Sequence, residues 1–275
     1  MNNNDTLSDI IIVNSTSIFY TRNNPTAEET ILMIHAGICD HRMWDAQVHY
    51  FAQNYHVITF DIHGFGKSGV PTTPFAFHTD IIALLDGFGI EQTWIMAASL
   101  GSAIAFDVAL MHPERVQGLI LAAPAIGGYQ YTGDVHPLKA AIDAADEAHN
   151  LALVSELEVQ LWVDGKGRKP SDIDSAMRDL VVEMNLIALQ TDESFWDLEI
   201  EIDPPALARL SDIEMPVSVI YGDLDIAPSL ERVELIVEGI QGAQKVLIAD
   251  TAHLPNMEKP RVFNQFVERF LQAER

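Results

Sequence analysis

Ser99 has the surroundings in this chain that point most directly to chemistry. It lies in Trp94-Ile95-Met96-Ala97-Ala98-Ser99-Leu100-Gly101-Ser102-Ala103, where an apolar β-rich run gives way to a helix-forming one. A serine at a sharp strand-to-helix turn is held in a strained conformation, and the residues two before and two after it must be small; here they are Ala97 and Gly101. The turn also aims the first helical N–H groups and the positive end of the helix dipole at one spot. There they can stabilise negative charge developing on a carbonyl oxygen under attack. The chemistry implied is nucleophilic acyl transfer through a covalent intermediate. A plainer role is also open, in which Ser99 merely N-caps the helix beginning at Leu100.

Other chemistries find less support. The single cysteine, Cys39, is not on that turn, and it excludes an internal disulfide framework. None of the ten histidines forms a His-x-x-x-His pair on an expected helix, so no metal site is implied. Gly64-Phe65-Gly66 lacks the third glycine and the helix start that a dinucleotide needs, so no cofactor is implied either.

The elements that must position Ser99 follow from the apolar pattern. A short hairpin is expected from Ile10 to Tyr20, broken at Asn14 and Ser15. Runs apolar on both faces, as buried parallel strands require, recur at Ile31 to His35, His56 to Phe60, Thr93 to Ala98, Val116 to Ala122, Val217 to Tyr221 and Gln244 to Ile248. Helical stretches fall near Trp44 to Asn54, Phe77 to Phe88, Leu100 to His112, Leu230 to Val237 and Arg261 to Gln272. Such alternation predicts an α/β fold, a mostly parallel sheet covered by helices on both faces. It stops between Pro124 and Pro216. There, helix-period stretches at Pro137 to Leu161 and Ile173 to Leu189 flank a turn-rich run from Asp164 to Pro170. The expected organisation is a core of residues 1–124 and 216–275 with a helical cap insertion at 125–215 over the strand ends.

With these elements in place, the chain resembles the α/β-hydrolase family of capped serine hydrolases. Its nucleophile elbow is Gly-x-Ser-x-Gly; Ala97 stands for the first glycine, a replacement other members share. The resemblance implies further residues. Tyr221-Gly222-Asp223-Leu224-Asp225 matches the strand end that carries the triad acid, making Asp225 that acid, with Asp223 a turn-forming competitor. Asp250-Thr251-Ala252-His253-Leu254-Pro255-Asn256-Met257-Glu258-Lys259-Pro260 looks like the histidine loop before the final helix, making His253 the general base and later the general acid. Ile34-His35-Ala36-Gly37-Ile38 resembles the oxyanion loop, so the amides of Gly37 and Leu100 should form the oxyanion hole, with Ile38 the alternative donor and His35 structural. Phe60-Asp61-Ile62-His63-Gly64-Phe65-Gly66-Lys67-Ser68 matches a scaffold loop, with His63 in place of the usual arginine. The likeness runs from about Ile31 to Phe270 and is weakest across the insertion.

Composition bounds the partners. The formal net charge is −24, which repels a nucleic-acid backbone or an anionic membrane surface. Half of that charge falls between Asp143 and Asp203, with 16 acidic and 4 basic residues, disfavouring polyanionic substrates. No uncharged apolar stretch reaches membrane-spanning length, and Met1 to Leu7 is polar, so a cytoplasmic monomer or homodimer is expected. The reading is a serine hydrolase acting on a small, mostly uncharged ester or lactone. Ile38, Trp162, Met184, Phe195 and Trp196 are candidates to line its pocket, though such residues also simply pack a cap onto a core. The same resemblance allows a carbon–carbon bond hydrolase or cofactor-free perhydrolase, and a ligand-binding sensor with slow turnover is a reading of another class. Epoxide and haloalkane hydrolysis usually place an aspartate where Ser99 stands, which argues against both.

Overall fold

A computed structural model describes residues 6–274. The polar start, Met1 to Asp5, lies outside the described residues. Eight strands form one sheet in the order β1-β2-β4-β3-β5-β6-β7-β8. They are β1 (Leu7–Val13), β2 (Thr16–Asn23), β3 (Thr30–Ile34), β4 (His56–Phe60), β5 (Thr93–Ala98), β6 (Val116–Ala122), β7 (Val217–Tyr221) and β8 (Gln244–Leu247). The first two pair antiparallel, and β2 pairs antiparallel with β4; from β4 onward every pairing is parallel. The hairpin runs from Leu7 to Asn23, beyond the expected Ile10 to Tyr20 at both ends. Its turn sits where expected, with Asn14 and Ser15 both at positive φ (45° and 73°), the geometry whose twist suits a two-residue hairpin.

Alternate side chains of each central strand feed two separate cores, as the period of two demands. Leu32, Ile34, Ile95, Ala97, Leu119, Leu121 and Val219 join one core. It is closed by α2 (Phe77–Gly87), α3 (Leu100–Met111) and α7 (Ala227–Gly239). Their neighbours Ile31, Met33, Trp94, Met96, Ile120 and Ile220 join the other, beneath α1 (Asp45–Phe51) and α8 (Pro260–Ala273). The last helix buries Phe263, Asn264, Val267, Phe270 and Leu271, one face at helical spacing. Helix α7 begins three residues before the expected Leu230, because Pro228 in its first turn is pre-set for a helical start. No helix among the described residues is long and apolar enough to cross a membrane.

Between β6 and β7 the chain leaves the sheet for α4 (Lys139–Glu147), α5 (Leu151–Val159) and α6 (Ser175–Leu189). The stretch from Pro137 to Leu161, expected as one helical region, is cut at His149, whose φ is 52°; Asn150 then caps α5 by accepting from the Leu153 amide. A small core of Ile142, Ala145 and Val154 ties α4 to α5. The segment meets the sheet domain at the loops that leave the carboxyl ends of the strands. Thr191 Oγ1 donates to Gly64 O (2.7 Å) after β4, the Lys166 amide donates to Leu224 O (2.8 Å) after β7, and the His253 amide donates to Trp162 O (3.1 Å) after β8. The turn Ala206–Asp212 then packs back with α3 and α7 through Ala206 and Leu210.

Candidate active site

The strand-to-helix turn at Ser99 has the strain that its flanking residues suggested. Ser99 adopts φ 47° and ψ −115°, a region a non-glycine residue occupies only when its surroundings enforce it. The enforcement is visible: its amide donates to Ala122 O of β6 (3.0 Å), and its carbonyl accepts from Ser102 N (2.8 Å) and Ala125 N (3.2 Å). A Cβ at Gly101 would lie 2.5 Å from Ile34 O and 2.7 Å from His35 O, so only glycine lets α3 approach β3 this closely. Ser99 occupies the N-cap position, yet its side chain makes no capping hydrogen bond. The hydroxyl is therefore not spent on the helix end.

Asp225 and His253 come together as the resemblance implied. Both are almost wholly buried, and His253 Nδ1 lies 2.7 Å from Asp225 Oδ2. A carboxylate only accepts, so Nδ1 donates to Asp225, and in the neutral ring this leaves Nε2 as the acceptor. The other carboxylate oxygen accepts from the Ile226 amide (2.7 Å). Asp223, the competitor for the acid's position, instead accepts from the Asp250 amide (2.7 Å) and braces the histidine loop from outside. A side chain at Gly222 would run into the Thr251 and Ala252 carbonyls, so glycine there lets the acid and histidine loops touch. The loop is further pinned by Glu258, which accepts from the Ala252 amide (2.6 Å) and pairs with Arg168 (2.5 Å). These braces were not foreseen; Glu258 belongs to the sequence motif, but nothing in its spacing announces a partner in the insertion.

Ser99, Asp225 and His253 follow β5, β7 and β8, so all three sit along one carboxyl edge of the parallel strands, where open α/β sheets hold ligands. The loop expected to supply the oxyanion hole leaves β3 at the same edge. The Cβ position of Gly37 lies 3.6 Å from the Leu100 side chain, so the two residues expected to donate amides are adjacent. His35 is wholly buried; its Nδ1 faces Ala36 O (2.8 Å) and its Nε2 accepts from the Ile62 amide (2.9 Å). That pattern fixes the neutral tautomer, and burial correspondingly pushes its pKa down. His35 is thus occupied in holding two loops.

The scaffold loop works through Asp61, which accepts from the His41 amide (2.8 Å), His41 Nδ1 (2.7 Å) and the Lys67 amide (2.8 Å). His63, standing for the usual arginine, pairs with Asp80 of α2 (2.7 Å) between the rings of Phe75 and Phe77. Asp40, His41 and Asp61 bring ligand atoms within 4.8 Å of one another, a grouping the sequence reading did not anticipate. Their oxygens are already engaged, Asp61 as above and Asp40 by Arg42 Nε and Nη2 at 2.7–3.1 Å. Cys39 is buried, which pushes its thiol pKa well up and disfavours a thiolate.

The candidate pocket residues divide. Ile38, Phe195 and Trp196 line a pocket of about 120 Å³ against Gly37. Trp162 instead covers His253, ring centroids 4.5 Å apart. Met184 is wholly buried, and its sulfur accepts from the Asp40 amide (3.4 Å). A larger cleft of about 670 Å³ opens beside Asp225, between the Gln160 to Pro170 stretch and the start of α7. Residue type could not separate these roles, since each is a large apolar residue that suits pocket lining and packing alike.

Residues 29–260 match the family model described as the alpha/beta hydrolase fold, and the chain belongs to that family. It is accordingly a hydrolase. Among curated proteins it is similar to 3-oxoadipate enol-lactonase 2 of Acinetobacter baylyi, 26% identical over 235 residues and covering 84% of each chain. It is also similar to a carboxylesterase of Bacillus subtilis, 21% identical over 263 residues, covering 90% of this chain and 81% of that one. Among solved structures, a hydrolase from Pseudomonas aeruginosa superimposes with a TM-score of 0.78 at 24% identity, covering 96% of this chain and 98% of the other.

Proposed function

We propose that the chain is a serine hydrolase that cleaves a small carboxylic ester or lactone through an acyl-enzyme. The observation that carries this reading is the strained Ser99 turn with its uncapped hydroxyl on the same sheet edge as the 2.7 Å His253–Asp225 pair. His253 Nε2 takes the Ser99 hydroxyl proton as Oγ bonds to the substrate carbonyl carbon. The carbonyl oxygen gains negative charge and is held by the Gly37 and Leu100 amides. Collapse breaks the carbon–oxygen bond to the alcohol, which leaves with the proton from His253. Water then repeats the sequence, and the acid departs. Asp225 keeps the imidazole in the correct tautomer and stabilises its cationic form.

Names of relatives support the bond type: an enol-lactonase and a carboxylesterase both cleave an acyl–oxygen bond. A lactone differs from an ester only in that its alcohol stays tethered to the acyl group. In this reading the helical segment at 125–215 acts as a cap, and Trp162 shields the histidine.

The test is labelling and turnover together. A fluorophosphonate should add once, at Ser99, and Ser99→Ala should lose both the label and hydrolysis of short p-nitrophenyl esters, with an unchanged circular dichroism spectrum. Full activity in Ser99→Ala would refute the triad. Cleavage of a ring-fission diketone in preference to every ester and lactone would move the chain to carbon–carbon hydrolysis. Labelling in a single turnover without steady product release would favour a sensor.

A further inference from the structure

The pocket beside the oxyanion loop carries a charge that the reading above leaves unused. Gly37 and Ile38 form its core side, and Glu158, Asn185 and Glu193 face them from the helical segment, with Phe65 and Trp196 among the walls. Neither lysine nor arginine lines it. Glu158 reaches in from α5, half-buried, and its Oε2 accepts from Asn185 Nδ2 (2.8 Å). Asn185 is itself buried on α6, so the carboxylate is positioned by a neighbour that cannot easily move.

Glu158 has no ion-pair partner among the described residues. The arginines of this region are committed elsewhere, Arg178 to Glu156 and Asp164, Arg42 to Asp40 and Glu183. Lys139, a cation that acts on Glu158, is paired with Asp143. Burial pushes the Glu158 carboxyl pKa up against the opposing hydrogen bond from Asn185, and Glu193 and Asp146 push the same way as burial. A carboxylate kept partly from water without a counter-ion is costly in its ionised form, and a bound cation would relieve that cost.

We propose that Glu158, oriented by Asn185, makes this pocket select substrates whose chain carries a protonated amine and reject those carrying a second carboxylate. This rests on the acyl-transfer reading, in which the Gly37 amide meets the carbonyl oxygen, so the rest of the substrate chain extends into the pocket that Gly37 lines. The ammonium donates to the Glu158 oxygen that Asn185 leaves open, within reach of Glu193. Glu158 is a specificity residue and takes no part in proton transfer.

The experiment compares kcat/KM for methyl esters of a short ω-amino acid, of the neutral alkanoic acid of the same length, and of the matching dicarboxylic acid. Wild type should prefer the amino ester over the neutral one by about tenfold, the size of one charge-assisted hydrogen bond, and the carboxylate ester should be poorest. Glu158→Gln keeps the hydrogen bond from Asn185 and should cut the ratio of amino to neutral ester by about the same factor. Glu158→Asp should restore part of it. A wild type indifferent to the amine, or a ratio untouched by Glu158→Gln, overturns the proposal. Failure of the acyl-transfer reading is separable, because then wild type hydrolyses none of the esters. In that case calorimetry of Ser99→Ala with the amide analogue of the amino ester, against its neutral isostere, still reads the pocket. Tighter binding of the amine supports the proposal, and equal affinity defeats it.

Discussion

Two histidine–carboxylate pairs in this molecule are nearly the same by distance and burial. His253–Asp225 and His63–Asp80 each close at 2.7 Å, and each histidine is 2% exposed. What separates them is the second ring nitrogen. His63 leaves Nδ1 sealed without any partner, between two phenylalanines and on a pair that Asn14 also braces through Asp80 (2.6 Å). Neither ring nitrogen of His253 is sealed in that way. A histidine can move protons only if the nitrogen facing away from its carboxylate meets a reacting group. One pair is therefore built as a fastener, while the other keeps the geometry that the proposed mechanism needs.

Breaking each pair should give opposite signatures. His253→Ala should lower kcat for a short ester by about four orders of magnitude or more, as triad members act as a unit, with Tm changed little. His63→Ala should leave kcat within a few-fold and lower Tm by roughly 5–10 °C, since it leaves buried Asp80 with only Asn14 as a donor and empties the space between Phe75 and Phe77, at a cost of about 3 kcal/mol. Steady-state kinetics beside a thermal melt on the same samples decides it. Equal kinetic losses in both variants would mean that the comparison has been drawn wrongly.

The carboxylates of the acid loop sharpen the same contrast. Asp225→Asn should cost about 10³–10⁴-fold in kcat by offering His253 the wrong tautomer. Asp223→Asn still accepts the Asp250 amide through its side-chain oxygen and should cost less than about threefold, the scale of a surface substitution of about 0.5 kcal/mol. A comparable loss at both positions would place the acid wrongly.

The sequence made the candidate site's edge legible for a physical reason. Steric necessity at Gly101 and Gly222 compels particular residues at particular offsets, and so leaves short motifs. The parallel sheet was legible too, because a strand buried on both faces is a continuous apolar run. What escaped was contact between distant segments: Trp162 on His253, Arg168 on Glu258 and Asn185 on Glu158 join the helical segment to the core or to itself with no local trace. The break at His149 was also hidden, since the apolar period continues across it while one backbone torsion changes sign. Met184 shows the limit from the other side, a pocket candidate by type whose sulfur is spent on a loop amide.

A third grouping extends the comparison to carboxylates with no histidine at all. Asp107 on α3 is pushed up to about 7 by burial and by Glu199 and Glu201, with Arg209 opposing; Glu199 is pushed up to about 7 by burial and by Glu201. In the unfolded chain such groups titrate near about 4, so between about pH 4 and 7 the folded state holds more protons than the unfolded one. Stability from these groups is therefore present at low pH and lost as pH rises through about 7, opposite to a carboxylate held by a base. His56 runs against them: burial and then Arg22 lower it to about 4, so its contribution is present above about pH 6.5 and lost as pH falls toward about 4. The difference between wild type and Asp107→Asn isolates the acidic group from that background. Tm of the variant should exceed wild type by a few degrees at pH 8, where about 1 kcal/mol moves Tm by roughly 2–4 °C, and the gap should shrink as pH falls below about 7 and close only near about pH 4. A gap that stays constant across that range would mean that Asp107 is ionised throughout and that its acidic neighbours do not press on it.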